Sequence, residues 1–171
     1  MSRIFLAFLI ALSSALFVAP AAHAKGSADD EARATFLLLL GKYVTWPASA
    51  FSSATAPIVV AVVGNPSLAA DLQAMAVGQQ IEGRNLEIRE AADPAACAGA
   101  HIVFVSDSAQ SSALASAQPL RVSEDPKRLK DTDIAIRMQS GRVAFAVNRK
   151  DVTRRGLKLS SKLMRLASSF E

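Results

Sequence analysis

The sequence predicts an α/β fold of three layers, in which a mostly parallel sheet is flanked by helices and ends in an antiparallel hairpin near the C-terminus. Three observations predict it. Residues 57–64 (PIVVAVVG) and 100–106 (AHIVFVS) are near-continuous apolar, β-branched runs, the signature of strands buried on both faces. Segments of helical character stand between the extended ones, the alternation from which parallel sheets are built. Toward the end, DIAIRMQSGRVAFAVN alternates apolar and polar residues on either side of Ser140-Gly141, which is a hairpin pattern.

With 171 residues, 51% hydrophobic and 20% charged, the chain has the composition of one ordinary globular domain and can bury a core. Residues 1–24 read as a cleaved secretory signal peptide: a basic Arg3, an apolar run over 4–18, and Ala22 and Ala24 in an A-x-A cleavage pattern. That run is shorter than the roughly 20 residues needed to cross a bilayer. Residues 25–171 are left as a single domain. Loss of Arg3 lowers the net charge from +4 to +3, which is only mildly basic.

The elements follow in order. Small and acidic residues over 27–31 suit a helix N-terminus, and the helix should run to about Val44 and stop before Pro47. Phe36, Leu37, Leu39, Leu40, Tyr43 and Val44 make more than one side apolar, so this helix must be largely covered; Gly41 and Lys42 interrupt it, and it is too short to span a membrane. The strand at 57–64 passes through Asn65-Pro66 into a helix over 67–77. A second extended piece, NLEIREA, follows a turn at Gly83, and the strand at 100–106 comes third. A helix-period segment, SAQSSALASA, precedes a short strand at PLRVS and a charged helical turn at DPKRLKD. After the hairpin, Leu159, Leu163, Leu166 and Phe170 form one stripe, with Lys158, Lys162 and Arg165 around the other side. The expectation is a single amphipathic closing helix.

Catalytic constellations fail one by one. VVGNPSLAAD follows the first long strand with one glycine and a proline, where a dinucleotide fold needs G-x-G-x-x-G. No G-K-[ST] phosphate loop exists. Beyond the leader there is one cysteine, Cys97, and one histidine, His101, too few for a zinc site, and no internal disulfide can form. Cys97 is expected to be buried rather than bridged to another chain. The two residues are expected to pack in a turn and to start a strand, respectively, rather than to act as a nucleophile pair. Ser160-Ser161-Lys162 lacks the S-x-x-K spacing. Asp29, Asp30, Asp107 and Asp133 are assigned to caps and solvated faces. No catalytic residue, cofactor or metal is expected.

Arg149, Lys150, Arg154, Arg155, Lys158, Lys162 and Arg165 form the densest basic tract. Export argues against nucleic acid. A solvated face is the plain reading, and an acidic protein partner or anionic surface is the other.

Several passages, taken together, resemble the YfiR family of periplasmic proteins. ATFLLLLGKYVTWP is similar to its opening helix ending in an aromatic-Pro pair, and PIVVAVVGNPSLAADLQAMAVGQQIEGRNLEIRE to its next block. HIVFVSDS is similar to its His-led strand, GRVAFAVN to its late strand, and RRGLKLSSKLMRLAS to its closing helix. The match is collinear from about Arg33 to Ser168. The resemblance implies a non-enzymatic periplasmic regulator. Its best-known member represses a membrane-bound diguanylate cyclase by binding that enzyme's periplasmic sensor domain, so lowering cyclic di-GMP and biofilm formation, and an outer-membrane lipoprotein relieves the repression. Other members sit beside sensor kinases. The best-known member also has intramolecular disulfides, which Cys97 alone cannot reproduce, so no redox role is carried onto it.

The partner surface is expected around Tyr43 and Trp46, which present large rigid area, and around Arg154 and Arg155; a homodimer is also entertained. The alternative is a periplasmic small-molecule-binding protein using the crevice at the strand carboxyl ends, near Asn65, Ser106 and Asp107. An enzyme ranks third.

Overall fold

The computed structural model describes residues 27–106 and 120–168. The leader and its cleavage site, the SAQSSALASA segment, Asp107 and Phe170 lie outside the described residues.

Helix α1 (Ala28–Tyr43) starts at Ser27, whose Oγ accepts the Asp30 N–H at 3.1 Å, and three acidic residues occupy its first turn. A capped, negatively charged start satisfies an orphan donor and complements the helix dipole. β1 (Val44–Thr45) follows. Next come β2 (Ile58–Val63), α2 (Pro66–Ala76), β3 (Gln80–Ile81), β4 (Arg84–Ala91) and β5 (Ile102–Val105). β6 (Leu120–Ser123), β7 (Ile134–Gln139) and β8 (Arg142–Val147) complete a seven-stranded sheet of order β3-β4-β2-β5-β6-β7-β8. Its five inner strands, β4 to β7, are parallel, and β3 and β8 pair antiparallel at the two edges.

This is the expected mixed α/β class, a mostly parallel sheet flanked by helices. Every residue of β2 is buried, as a two-sided strand requires. On one face Ile58, Val60, Val62, Ile102 and Phe104 pack against Leu37 and Leu40 of α1 and Leu68 and Leu72 of α2. On the other, Val59, Ala61, Val63, Val103 and Val105 meet Ala91, Cys97 and Ala100 around a 3-10 turn over Pro94–Cys97. The β7–β8 hairpin turns at Ser140 and Gly141, with φ of 51° and 71°. Two consecutive positive φ values are those of a type I′ turn, whose twist matches the strands it joins.

The chain's end differs from the expectation of one helix. It divides into α3 (Arg149–Arg154), β9 (Lys158–Leu159) and α4 (Ser161–Leu166). Gly156, at φ 73°, ends the first piece, and Ser160 caps the second by accepting the Leu163 N–H at 3.2 Å. Between them β9 pairs antiparallel with β1, Val44 opposite Leu159 and Thr45 opposite Lys158. Of the expected stripe, Leu163 is buried, Leu159 is half-buried, and Leu166 is 69% exposed. A helical stripe needs an unbroken helix, and the left-handed conformation at Gly156 does not continue one.

Candidate functional site

The amino ends of the parallel strands gather two polar constellations. In the first, His101 sits just before β5. Its Nδ1 accepts the Val59 N–H at 3.1 Å, so the ring proton resides on Nε2, which donates to the Ala50 carbonyl at 3.1 Å. The ring stacks on Phe51 with centroids 4.5 Å apart, and Trp46 meets it edge-on at 6.0 Å. Arg84 lies over the Phe51 ring, 3.7 Å from its centroid, and donates to the carbonyls of Ser53 and Ala56. Burial, assisted by the positive charges of Arg84 and Arg89, pushes the His101 pKa below its ordinary value, and the hydrogen bond to Ala50 only partly offsets this.

The second constellation is ionic. Asp133, fully buried before β7, accepts the backbone N–H of Arg121 at 2.8 Å and its Nε and Nη2 at 3.2 Å each. Arg121 Nη2 also reaches Asp151 at 3.5 Å, Arg155 Nε lies 3.6 Å from Asp133, and Arg154 pairs with Asp151. Two buried carboxylates are thus shared among three guanidinium groups. The default assignment of Asp133 to a cap or solvated face is corrected: a buried carboxylate is stable only when paired, and its partner Arg121 is distant in sequence. Asp30 is likewise buried, holding Arg33 and Asn65.

The four residues proposed from sequence as a partner surface fall differently. Trp46 is 9% exposed and belongs to the core, with its indole Nε1 buried and unpartnered. Tyr43 is half-buried against the same core. Arg155 is half-buried on Asp133, whereas the Arg154 side chain is 73% exposed. What sequence reasoning did not bring together is Tyr43 and the basic tract. The β1–β9 pairing and the Ser160 N–H donated to the Tyr43 carbonyl at 2.9 Å set them side by side. Arg149, Lys150, Arg154, Lys158, Lys162 and Arg165 are all exposed along this flank. No local pattern announces the pairing, because β9 is two residues long.

At the carboxyl ends, Asn65 caps α2 by accepting the Leu68 N–H at 2.9 Å and donates to Asp30 at 2.9 Å. Ser106 is buried and its Oγ donates to the Gly64 carbonyl at 3.0 Å. Arg33 ties this end together by pairing with both Asp30 and Glu124. The first turn of α1 therefore lies over the strand ends.

Cys97 is buried; its thiol donates to the Asp93 carbonyl at 3.7 Å, and burial together with the Asp93 charge raises its pKa. A thiol held protonated is a poor nucleophile. Among the described residues no group of three or more His, Cys, Asp or Glu side chains is placed to hold a metal ion. No described helix is long and apolar enough to cross a membrane.

The fold and these constellations define a small mixed α/β protein whose buried polar groups largely bond to one another and whose C-terminal flank is basic. It belongs to the YfiR/HmsC-like family, whose description matches residues 30–168. A comparison with curated proteins finds no match.

Proposed function

We propose that the protein is a non-enzymatic periplasmic regulator. It binds the periplasmic sensor domain of a membrane signalling protein and represses a diguanylate cyclase, lowering cyclic di-GMP. The observation that carries this reading is the family match across residues 30–168, nearly the whole chain beyond the leader. The bonding of the reactive side chains supports it. His101 is committed through both ring nitrogens and Cys97 is buried as a thiol, so the groups best suited to chemistry serve the fold.

Residues 1–24 direct export and are removed. Repression works by differential binding: the regulator holds the inactive sensor conformation more tightly than the active one, and an outer-membrane lipoprotein relieves it by competing for the regulator. A sensor kinase is the other partner class. The contact surface is the flank where Tyr43 adjoins the exposed basic residues, Arg154 foremost, which fits an acidic sensor surface. The small-molecule reading is weaker, because Asn65 and Ser106 direct their polar atoms into the fold.

The test is capture of the periplasmic sensor domain of a membrane diguanylate cyclase or sensor kinase from the same organism. Saturable binding that falls with rising salt and with Arg154→Glu supports the reading. No binding to a folded cyclase or kinase sensor domain would overturn it.

A further inference from the structure

Thr35, Leu38, Leu39 and Lys42 recur along α1 at the spacing of a single helix face, about 10 Å from end to end at 1.5 Å per residue. This is not the face that meets the sheet: Thr35 and Lys42 are exposed, and Leu39 is one of the few large apolar side chains left 40% open. Across from it stand Met75 and Gln79, at and just beyond the end of α2, and Ile81 of β3 and Leu86 of β4 complete a groove of about 210 Å³. An apolar cavity of roughly 150 Å³ already holds benzene, so this one has room for a small apolar group.

The groove is polar at one end. The two helices start together, where Asn65 donates to Asp30 at 2.9 Å, and they finish together, where α1 crosses β3 at Gly41. A Cβ on Gly41 would stand 2.5 Å from Ile81 Cδ1, so the glycine, costly inside a helix, admits Ile81 close under α1. Lys42 and Gln79, the neighbours of that contact, therefore share one end. Lys42 enters no ion pair and the Gln79 amide no hydrogen bond among the described residues, and no acidic side chain lines the groove. At the other end Thr35 already donates its hydroxyl to the Glu31 carbonyl at 2.9 Å, and the walls between are leucine, isoleucine and methionine.

A narrow apolar slot closed by one unpaired ammonium and one amide is complementary to a chain bearing a single negative charge. We propose that the groove binds a soluble medium-chain carboxylate, its acyl chain lying along α1 over Ile81 and its carboxylate held by Lys42 and Gln79. A phosphate monoester would bring a second charge that no other cation lining the groove can meet. The proposal uses none of the residues assigned to the partner surface and is independent of the regulatory reading.

Calorimetric titration of the purified exported chain with octanoate tests it. Octanoate should bind saturably at one site per chain and raise the unfolding temperature, and acetate should do neither. Each methylene added between hexanoate and octanoate should tighten binding about fourfold. Lys42→Met, on an exposed side chain, should weaken octanoate about five- to tenfold and leave octan-1-ol, the same chain without the charge, unchanged. Thr35→Trp, also at an exposed position, should fill the groove and abolish binding of both. Absence of saturable octanoate binding, or binding indifferent to both variants, would overturn the proposal. So would Lys42-dependent capture by phosphatidylglycerol vesicles without binding of free octanoate, which would assign the groove to a lipid surface.

Discussion

His101 accepts the backbone N–H of Val59 through Nδ1 at 3.1 Å, and so replaces a main-chain acceptor at the amino end of β2. The bond requires a neutral ring, since a doubly protonated imidazole has no acceptor to offer.

Stability should therefore depend on pH through this residue. Its folded pKa lies below the ordinary 6.5, so below that pH the unfolded chain binds a proton that the folded chain resists. Stability is full above 6.5 and falls as pH drops from there through the depressed folded value. Thermal unfolding at about pH 7.5 and about pH 5 should show a lower Tm in acid. His101→Ala should lose this histidine-dependent part of the difference and be less stable at neutral pH by about 1–3 kcal/mol, the cost of a buried unpaired N–H.

Asp133 is the hinge of the ion network, bonded to both the backbone and the guanidinium of Arg121. Asp133→Ala leaves a buried arginine without its main counter-charge, and urea unfolding should show a loss of about 3–5 kcal/mol. Arg154→Glu, on an exposed side chain, should change stability far less while reversing charge on the basic flank.

Trp46 belongs to the core, with Phe51 and His101 both meeting its ring edge-on. Trp46→Ala should cost about 3–5 kcal/mol, and Trp46→Phe much less, because it keeps an aromatic ring and removes the unpartnered Nε1. Chemical denaturation of both variants checks this. Arg154→Glu, rather than Trp46→Ala, then separates partner binding from folding.

What could be read from the chain divides by the range of the interaction. β2 and β5 are legible because two-sided burial writes itself as an uninterrupted apolar run, and the β7–β8 hairpin because Ser140-Gly141 separates two alternating segments. The Arg121–Asp133 pair is not, since a buried ion pair looks like two surface charges until the strands are adjacent. β3 and β9, two residues each, carry no periodicity at all. The break in the closing helix is hidden in the sequence because the leucine spacing continues across Gly156 and Ser160, the two residues that break and restart it.

Gly156→Ala checks that point. An alanine at φ 73° is strained by about 1–2 kcal/mol, and the variant should unfold at correspondingly lower denaturant with an unchanged m-value.

The regulatory account is tested most directly by cyclic di-GMP itself. It should be measured in cells that encode a membrane diguanylate cyclase with a periplasmic sensor beside this chain, with the chain present, deleted and restored. The account predicts that deletion raises cyclic di-GMP and that the intact chain returns it to its starting level, whereas Arg154→Glu returns it only in part. A level that does not change on deletion would contradict it.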